Sequence, residues 1–200
     1  MMVKRLSLLC LIVLAPIALM AQKPAAKPAP TAKPAQAPAA PASGPQLVID
    51  TVKGQIVIQL YDKEAPKSVA HIVELAKSGF YRSQRIFRVV PGQIVQFGDK
   101  QTRNMTLREW WGRGPDSSNG KPINVAEISK TRKHKAGSFG MAHSGNPMAA
   151  DNQVYIVLRP MPQLDGKHAI IGEVTTGLDV ASKLAVSDLI KEVTVRAAGT

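Results

Sequence analysis

Cysteine is almost absent. The single one, Cys10, lies inside an apolar leader, and from residue 11 onward the chain has none. Without the leader, neither a disulfide nor a thiolate can contribute to stability or chemistry, so the fold must rely on its core. Leu9 is too large for the small residue that a lipoprotein cleavage motif wants before its cysteine, which argues against lipidation. Acidic residues are missing from the first 45 positions, which carry Lys4, Arg5, Lys23, Lys27 and Lys33. Long hydrophobic runs are missing too: residues 6–21 are apolar but shorter than the roughly 20 residues of a typical spanning helix. Behind Lys4 and Arg5 this run has the length of a signal-peptide core. Residues 1–21 therefore read as a secretory signal cut after Ala21, with an uncleaved membrane anchor as the alternative because Leu19 occupies a position that prefers a small side chain. The expected location is the periplasm or the medium, or the periplasmic face of a membrane if the anchor is kept.

Further absences narrow the chemistry. The four histidines, His71, His134, His143 and His168, show no paired ligand spacing, so a metal centre is not expected. Gly112-Arg113-Gly114 lacks the remaining glycine and the following helix of a phosphate loop. Neither Ser138 nor Ser144 sits in a nucleophile elbow. No cofactor is implied. The formal charge of +12 invites a nucleic-acid reading, but the five basic residues of the leader and linker leave +7 on the remainder. There Lys130, Arg132, Lys133 and Lys135 form one loop cluster rather than a stripe interleaved with exposed aromatics, which reads as a solvated loop and not a polynucleotide site.

Residues 22–45 are Ala, Pro and Lys in irregular alternation, with seven prolines from Pro24 to Pro45. Such a composition buries no apolar area and predicts a disordered, extended linker. Roughly 150 residues remain, enough for one domain over 46–197. Residues 47–52 and 55–60 flank Lys53-Gly54 as the strands of a hairpin. Pro66 opens, and Ser78-Gly79 closes, a helix on which Val69, Ile72, Val73 and Ala76 share a face. Short β-branched runs at 86–90, 94–97, 138–142, 154–158, 169–174 and 190–195 predict further strands, and 178–186 a second helix. Many short strands with two helices favour a closed barrel or a sandwich, and periodicity alone does not choose between them. The stretch 100–124 reads as a long loop whose Trp110-Trp111 pair is expected to plug a core edge.

One strand carries an anomaly. In Ile86-Phe87-Arg88-Val89-Val90-Pro91-Gly92-Gln93-Ile94-Val95-Gln96 an arginine interrupts an apolar run, which is costly unless that face of the sheet lines a groove. Together with Met141-Ala142-His143, Gln153-Val154-Tyr155-Ile156 and Leu164-Asp165-Gly166-Lys167-His168, in that order and at those separations, it resembles the cyclophilin family of peptidyl-prolyl isomerases over about residues 47–195. The resemblance implies a mainly all-β fold, a closed antiparallel eight-stranded barrel capped by two α-helices. It also implies isomerisation of X-Pro bonds during folding of exported proteins, with proline-containing polypeptides as clients and the chain a monomer. By the same resemblance Arg88 is the catalytic donor and Gln96 its positioner. Gln93, Ile94, Tyr155 and Leu164 match the surface on which the proline ring rests, and His168 its rim. Ala142 and His143 match positions whose backbone pairs with the substrate, and Gln153 borders the neighbouring pocket. Gln93 and Tyr155 each stand where a phenylalanine is usual, so a more polar, less closely shaped pocket and weaker activity are expected. Gln163 replaces the tryptophan that many eukaryotic members use to bind cyclosporin, which implies reduced sensitivity to that drug. A proline-binding chaperone with little turnover is the alternative function.

Overall fold

The computed structural model describes residues 44–113 and 118–197; the expected signal or anchor and nearly all of the expected linker lie outside the described residues. The hairpin forms as the alternation predicts. Strands β1 (Gln46–Thr51) and β2 (Gly54–Leu60) pair antiparallel with Thr51 opposite Gly54. The Thr51 hydroxyl closes the turn by donating to the Gly54 carbonyl at 2.7 Å. Leu47 and Ile49 of β1 and Ile56, Ile58 and Leu60 of β2 enter the main core.

Helix α1 (Pro66–Lys77) follows, with proline in its first turn, where a missing N–H costs nothing. Val69, Ile72, Leu75 and Ala76 are its buried face. Its N-cap residue, Ala65, supplies no side-chain cap. Glu127, from a distant loop, takes that place: its carboxylate accepts the N–H of Lys67 at 3.0 Å and of Ser68 at 2.7 Å.

The remaining strands are β3 (Arg88–Val90), β4 (Ile94–Phe97), β5 (Ser138–Met141), β6 (Val154–Val157), β7 (Ile170–Thr176) and β8 (Ile190–Arg196). All eight make one antiparallel sheet in the order β3-β4-β6-β5-β7-β2-β1-β8, which curls around the core. Its two edges, β3 and β8, share no ladder. Only the segments leading into them meet, through the Arg85–Leu189 bridge and the bonds from Ile86 N to Asp188 O (2.9 Å) and Ile190 N to Gln84 O (2.8 Å). That departure begins at residue 86, so the strand expected over 86–90 is shorter. The second helix, α2 (Leu178–Ser182), also stops short of residue 186. There Asp188 accepts the Ala185 N–H at 2.8 Å and Ser187 adopts φ 79°, turning the chain toward β8.

Two regions of the 100–124 stretch are ordered as 3-10 turns, Lys100–Arg103 and Met105–Trp110. The tryptophan pair divides. Trp111 is buried and donates Nε1–H to the Asn104 carbonyl, whereas Trp110 is 52% exposed. Asp99, fully buried, ties the ends of this loop by accepting the Gln101 N–H at 2.8 Å and the Gly112 N–H at 2.6 Å. The basic loop cluster is largely paired. Arg132 grips Glu64 with two nitrogens and lies 3.6 Å from the centre of the Tyr61 ring, and Lys135 reaches Glu173 at 2.8 Å.

Candidate active site

Alternation along a strand sends successive side chains to opposite faces. On β4 and β6 this places Val95, Phe97, Val154 and Ile156 in the main core and leaves Ile94, Tyr155 and Val157 on the other face. Because both faces of β6 are covered, its sequence is a continuous apolar run, Val-Tyr-Ile-Val. Register then assembles the site. Arg88 is opposite Gln96, Gln96 opposite Tyr155, and Tyr155 opposite Gly140, so residues from four strands stand in one transverse row.

Arg88 stands at the exposed edge of the sheet, and its guanidinium donates to Gln96 Oε1 at 3.1 Å. The Gln96 amide donates in turn to Gln153 Oε1 at 3.1 Å. An arginine at a sheet edge would otherwise sample many rotamers; this relay holds its head over β4 while most of its donors remain available.

Beside the row lies an apolar cluster: Ile94, Tyr155, Val157 and Met161 are buried together, with the partly buried Val90, Ala142 and Leu164 packed against them. Of the residues singled out from sequence, Ile94, Tyr155, Leu164 and Ala142 meet here. Gln93 is half-buried in the turn before β4, where its carbonyl accepts the Leu158 N–H at 2.7 Å and ties that turn to the end of β6. Val90 and Met161 supply apolar surface that the sequence reading did not assign, because nothing in their local pattern separates them from core residues.

Tyr155 departs from the expectation of a more polar pocket. Its hydroxyl lies 2.8 Å from His134 Nε2, and the residue is only 2% exposed, so the polar atom points into the protein and the cluster stays apolar. The opposing Gly140 makes this possible. A Cβ there would lie 2.5 Å from both Cζ and the hydroxyl oxygen of Tyr155. Burial pushes the Tyr155 phenol well above its ordinary range, so it remains a neutral donor.

At the rim, His168 donates Nδ1–H to the Met141 carbonyl at 3.2 Å, and His143 donates Nε2–H to the Lys167 carbonyl at 3.0 Å. Their rings stack with centroids 4.1 Å apart. Burial, and then the neighbouring His143, push His168 below the usual imidazole range, which favours the neutral ring. A cavity of about 410 Å³ adjoins the row, lined by polar groups that include Gln96, Arg113, His143 and Gln153. Its buried carboxylate, Asp151, accepts from Ser118 at 2.6 Å and contacts His71 at 2.9 Å. Burial alone would raise the pKa of Asp151, but these bonds hold it below the usual carboxylate value. Among the described residues no group of three or more His, Cys, Asp or Glu side chains could hold a metal ion.

Fold and site together define a curled antiparallel sheet that presents an arginine and a glutamine beside an apolar cluster. The sequence matches the family model described as cyclophilin type peptidyl-prolyl cis-trans isomerase/CLD over residues 46–199. It is 34% identical over 147 residues to a peptidyl-prolyl cis-trans isomerase of Helicobacter pylori, covering 72% of this chain and 83% of that one. It is also 34% identical over 141 residues to peptidyl-prolyl cis-trans isomerase B of Bacillus subtilis, covering 70% and 90%. A crystal structure of a Cryptosporidium parvum cyclophilin type isomerase shares the fold with a TM-score of 0.66 at 24% identity, covering 77% of this chain and 98% of that one. The chain belongs to the cyclophilin-type peptidyl-prolyl cis-trans isomerases, and its enzymatic class is isomerase.

Proposed function

We propose that this enzyme accelerates X-Pro isomerisation in exported polypeptides, with Arg88 as the electrostatic catalyst, Gln96 as its positioner and the hollow of Ile94, Tyr155 and Leu164, rimmed by His168, as the seat of the proline ring. The barrier to rotation is about 18 to 20 kcal/mol because amide resonance must be broken. No base or nucleophile is required. Twisting the bond frees the lone pair of the prolyl nitrogen, and a fixed donor aimed at that nitrogen is rewarded chiefly in the transition state. Arg88 suits the task because it stays charged and its fork is already held by Gln96. Ala142 and His143 flank the hollow where a substrate backbone would run, and Gln153 couples that strand to Gln96.

The observation that carries this reading is the Arg88–Gln96–Tyr155 row beside the apolar cluster of Ile94, Tyr155, Val157 and Met161. Exchange spectroscopy on a short proline peptide, with wild type and Arg88→Ala, tests it; equal catalysed rates in the two proteins would remove Arg88 from the mechanism. Export is supported by Lys4, Arg5 and the apolar run at 6–21. A mass for the native protein matching cleavage after Ala21 supports a soluble periplasmic or secreted enzyme, and an intact leader supports an anchored one. A second reading, a client-holding chaperone with little turnover, is favoured by the exposed Met105, Leu107 and Trp110 on the loop that leads to Gly112 and Arg113 at the polar cavity.

A further inference from the structure

In sequence His134 is one of four histidines without paired ligand spacing, and it lies in the basic loop. In the fold its side chain is completely buried, and each of its polar groups is engaged by an element that shapes the hollow. Its backbone N–H and its Nδ1 both reach Asp165 Oδ1, at 2.8 and 2.9 Å. Its carbonyl accepts the Met161 N–H at 2.9 Å, and its Nε2 lies 2.8 Å from the Tyr155 hydroxyl. Proton assignment follows from the partners. A carboxylate only accepts, so Nδ1 carries a hydrogen; with Nδ1 as the protonated nitrogen, Nε2 offers its lone pair to the Tyr155 hydroxyl.

The consequence for the site is specific. Asp165 follows Leu164 directly, so fixing that carboxylate fixes the turn that presents Leu164. Met161 and Tyr155 are members of the apolar surface itself. The rings of His134 and Tyr155 run nearly parallel, 24° apart, while Tyr155 meets His168 edge-on at 83°. One imidazole thus touches, or touches the neighbour of, the floor and both walls.

We propose that His134 is the positioning residue of the hollow: Nε2 holds the Tyr155 hydroxyl down into the protein so that a tyrosine serves as an apolar floor, and Nδ1 holds Asp165 so that Leu164 keeps its place. This rests on the assignment of the hollow to the proline ring. The energetic argument is that a phenol with no buried acceptor must find another partner, and the open side of Tyr155 is the hollow.

The test separates the two imidazole nitrogens and uses the full chain. His134→Asn keeps a donor near the Nδ1 position and loses the Nε2 acceptor, while His134→Gln places an acceptor near Nε2. Peptide affinity by chemical-shift titration and the catalysed exchange rate are measured for each, with Leu164→Ala as a control for the location of the hollow. His134→Asn should raise KM and the peptide Kd about tenfold, with kcat changed less than about threefold, and His134→Gln should recover part of that loss. In a Tyr155→Phe background, whatever that change does alone, His134→Asn should add less than about twofold, since no hydroxyl is left to hold. Nitrogen shifts of the wild-type imidazole should report the Nδ1–H tautomer even if a variant fails to fold. Equal penalties in both backgrounds, a loss confined to kcat, or an Nε2–H tautomer would overturn the proposal. If Leu164→Ala leaves affinity unchanged while activity persists, the assignment of the hollow falls and the proposal falls with it.

Discussion

Arg88 and Gly140, at the two ends of the transverse row, make opposite demands on a mutation. Arg88 is exposed, so Arg88→Ala should leave stability within about 0.5 kcal/mol of wild type while lowering kcat/KM by about two to three orders of magnitude. Denaturant melts beside exchange kinetics would show both; a parallel loss of stability and rate would mean that Arg88 is structural. Gly140→Ala is the converse. The new Cβ would collide with the Tyr155 ring, so the strand or the ring must shift, at a cost of about 1 to 3 kcal/mol and with a higher KM for a proline peptide. An unchanged melting midpoint would mean that the ring has room to move. Arg88 stands out in sequence because a charged residue in a strand otherwise built to be buried needs an explanation, whereas Gln96 and Ile94 are picked out there only by the family resemblance. Tyr155 was misjudged because residue type reveals that a hydroxyl is present but not which way it points. The acceptor that decides its direction, His134, lies 21 positions earlier in the chain.

At the level of elements, periodicity found every strand and both helices, and its errors fell at ends. Helix α2 and the run before β3 were drawn too long because apolar spacing continues past the point where backbone bonds redirect the chain: Leu184 is still buried although the helix has ended. Helix α1 shows the limit in another form. Its sequence contains no N-cap side chain, and the missing acceptor comes from Glu127, whose contribution depends on tertiary structure alone. Glu127→Ala should therefore cost about 1 kcal/mol and raise amide exchange at Lys67 and Ser68, measured by denaturant midpoint and hydrogen exchange. Unchanged protection at those two amides would show that solvent caps the helix equally well. Asp99 plays a similar part for the 100–112 loop, and nothing in its local pattern distinguishes it from a surface carboxylate.

For the molecule as a whole, the shifted groups predict a stability that falls in two stages on acidification. His168 has a folded pKa below its ordinary 6.5, so the unfolded chain takes up a proton that the native state resists. Its contribution is complete above about pH 6.5 and declines as the pH drops from there toward the folded pKa. Asp151 and Asp165 are held below their ordinary 3.8, the former despite its burial and the latter by the backbone N–H and ring of His134. Their contribution is complete above about pH 3.8 and is lost as the pH falls further. Urea midpoints across the acid range should show both stages, and His168→Ala should flatten the upper one alone. A single transition untouched by that substitution would place the upper stage elsewhere. At this scale the family resemblance indicated a mainly antiparallel fold, whereas the way β3 and β8 approach without pairing depends on a backbone turn at residues 187–190 that hydropathy does not encode.

Strands β1 and β8 are antiparallel neighbours with Gln46 opposite Arg196, so the two ends of the ordered sheet lie side by side. Tension applied between those ends would load one ladder rung at a time, as in opening a zipper, rather than shearing all of them together. The fold should yield to a gentle pull from that seam.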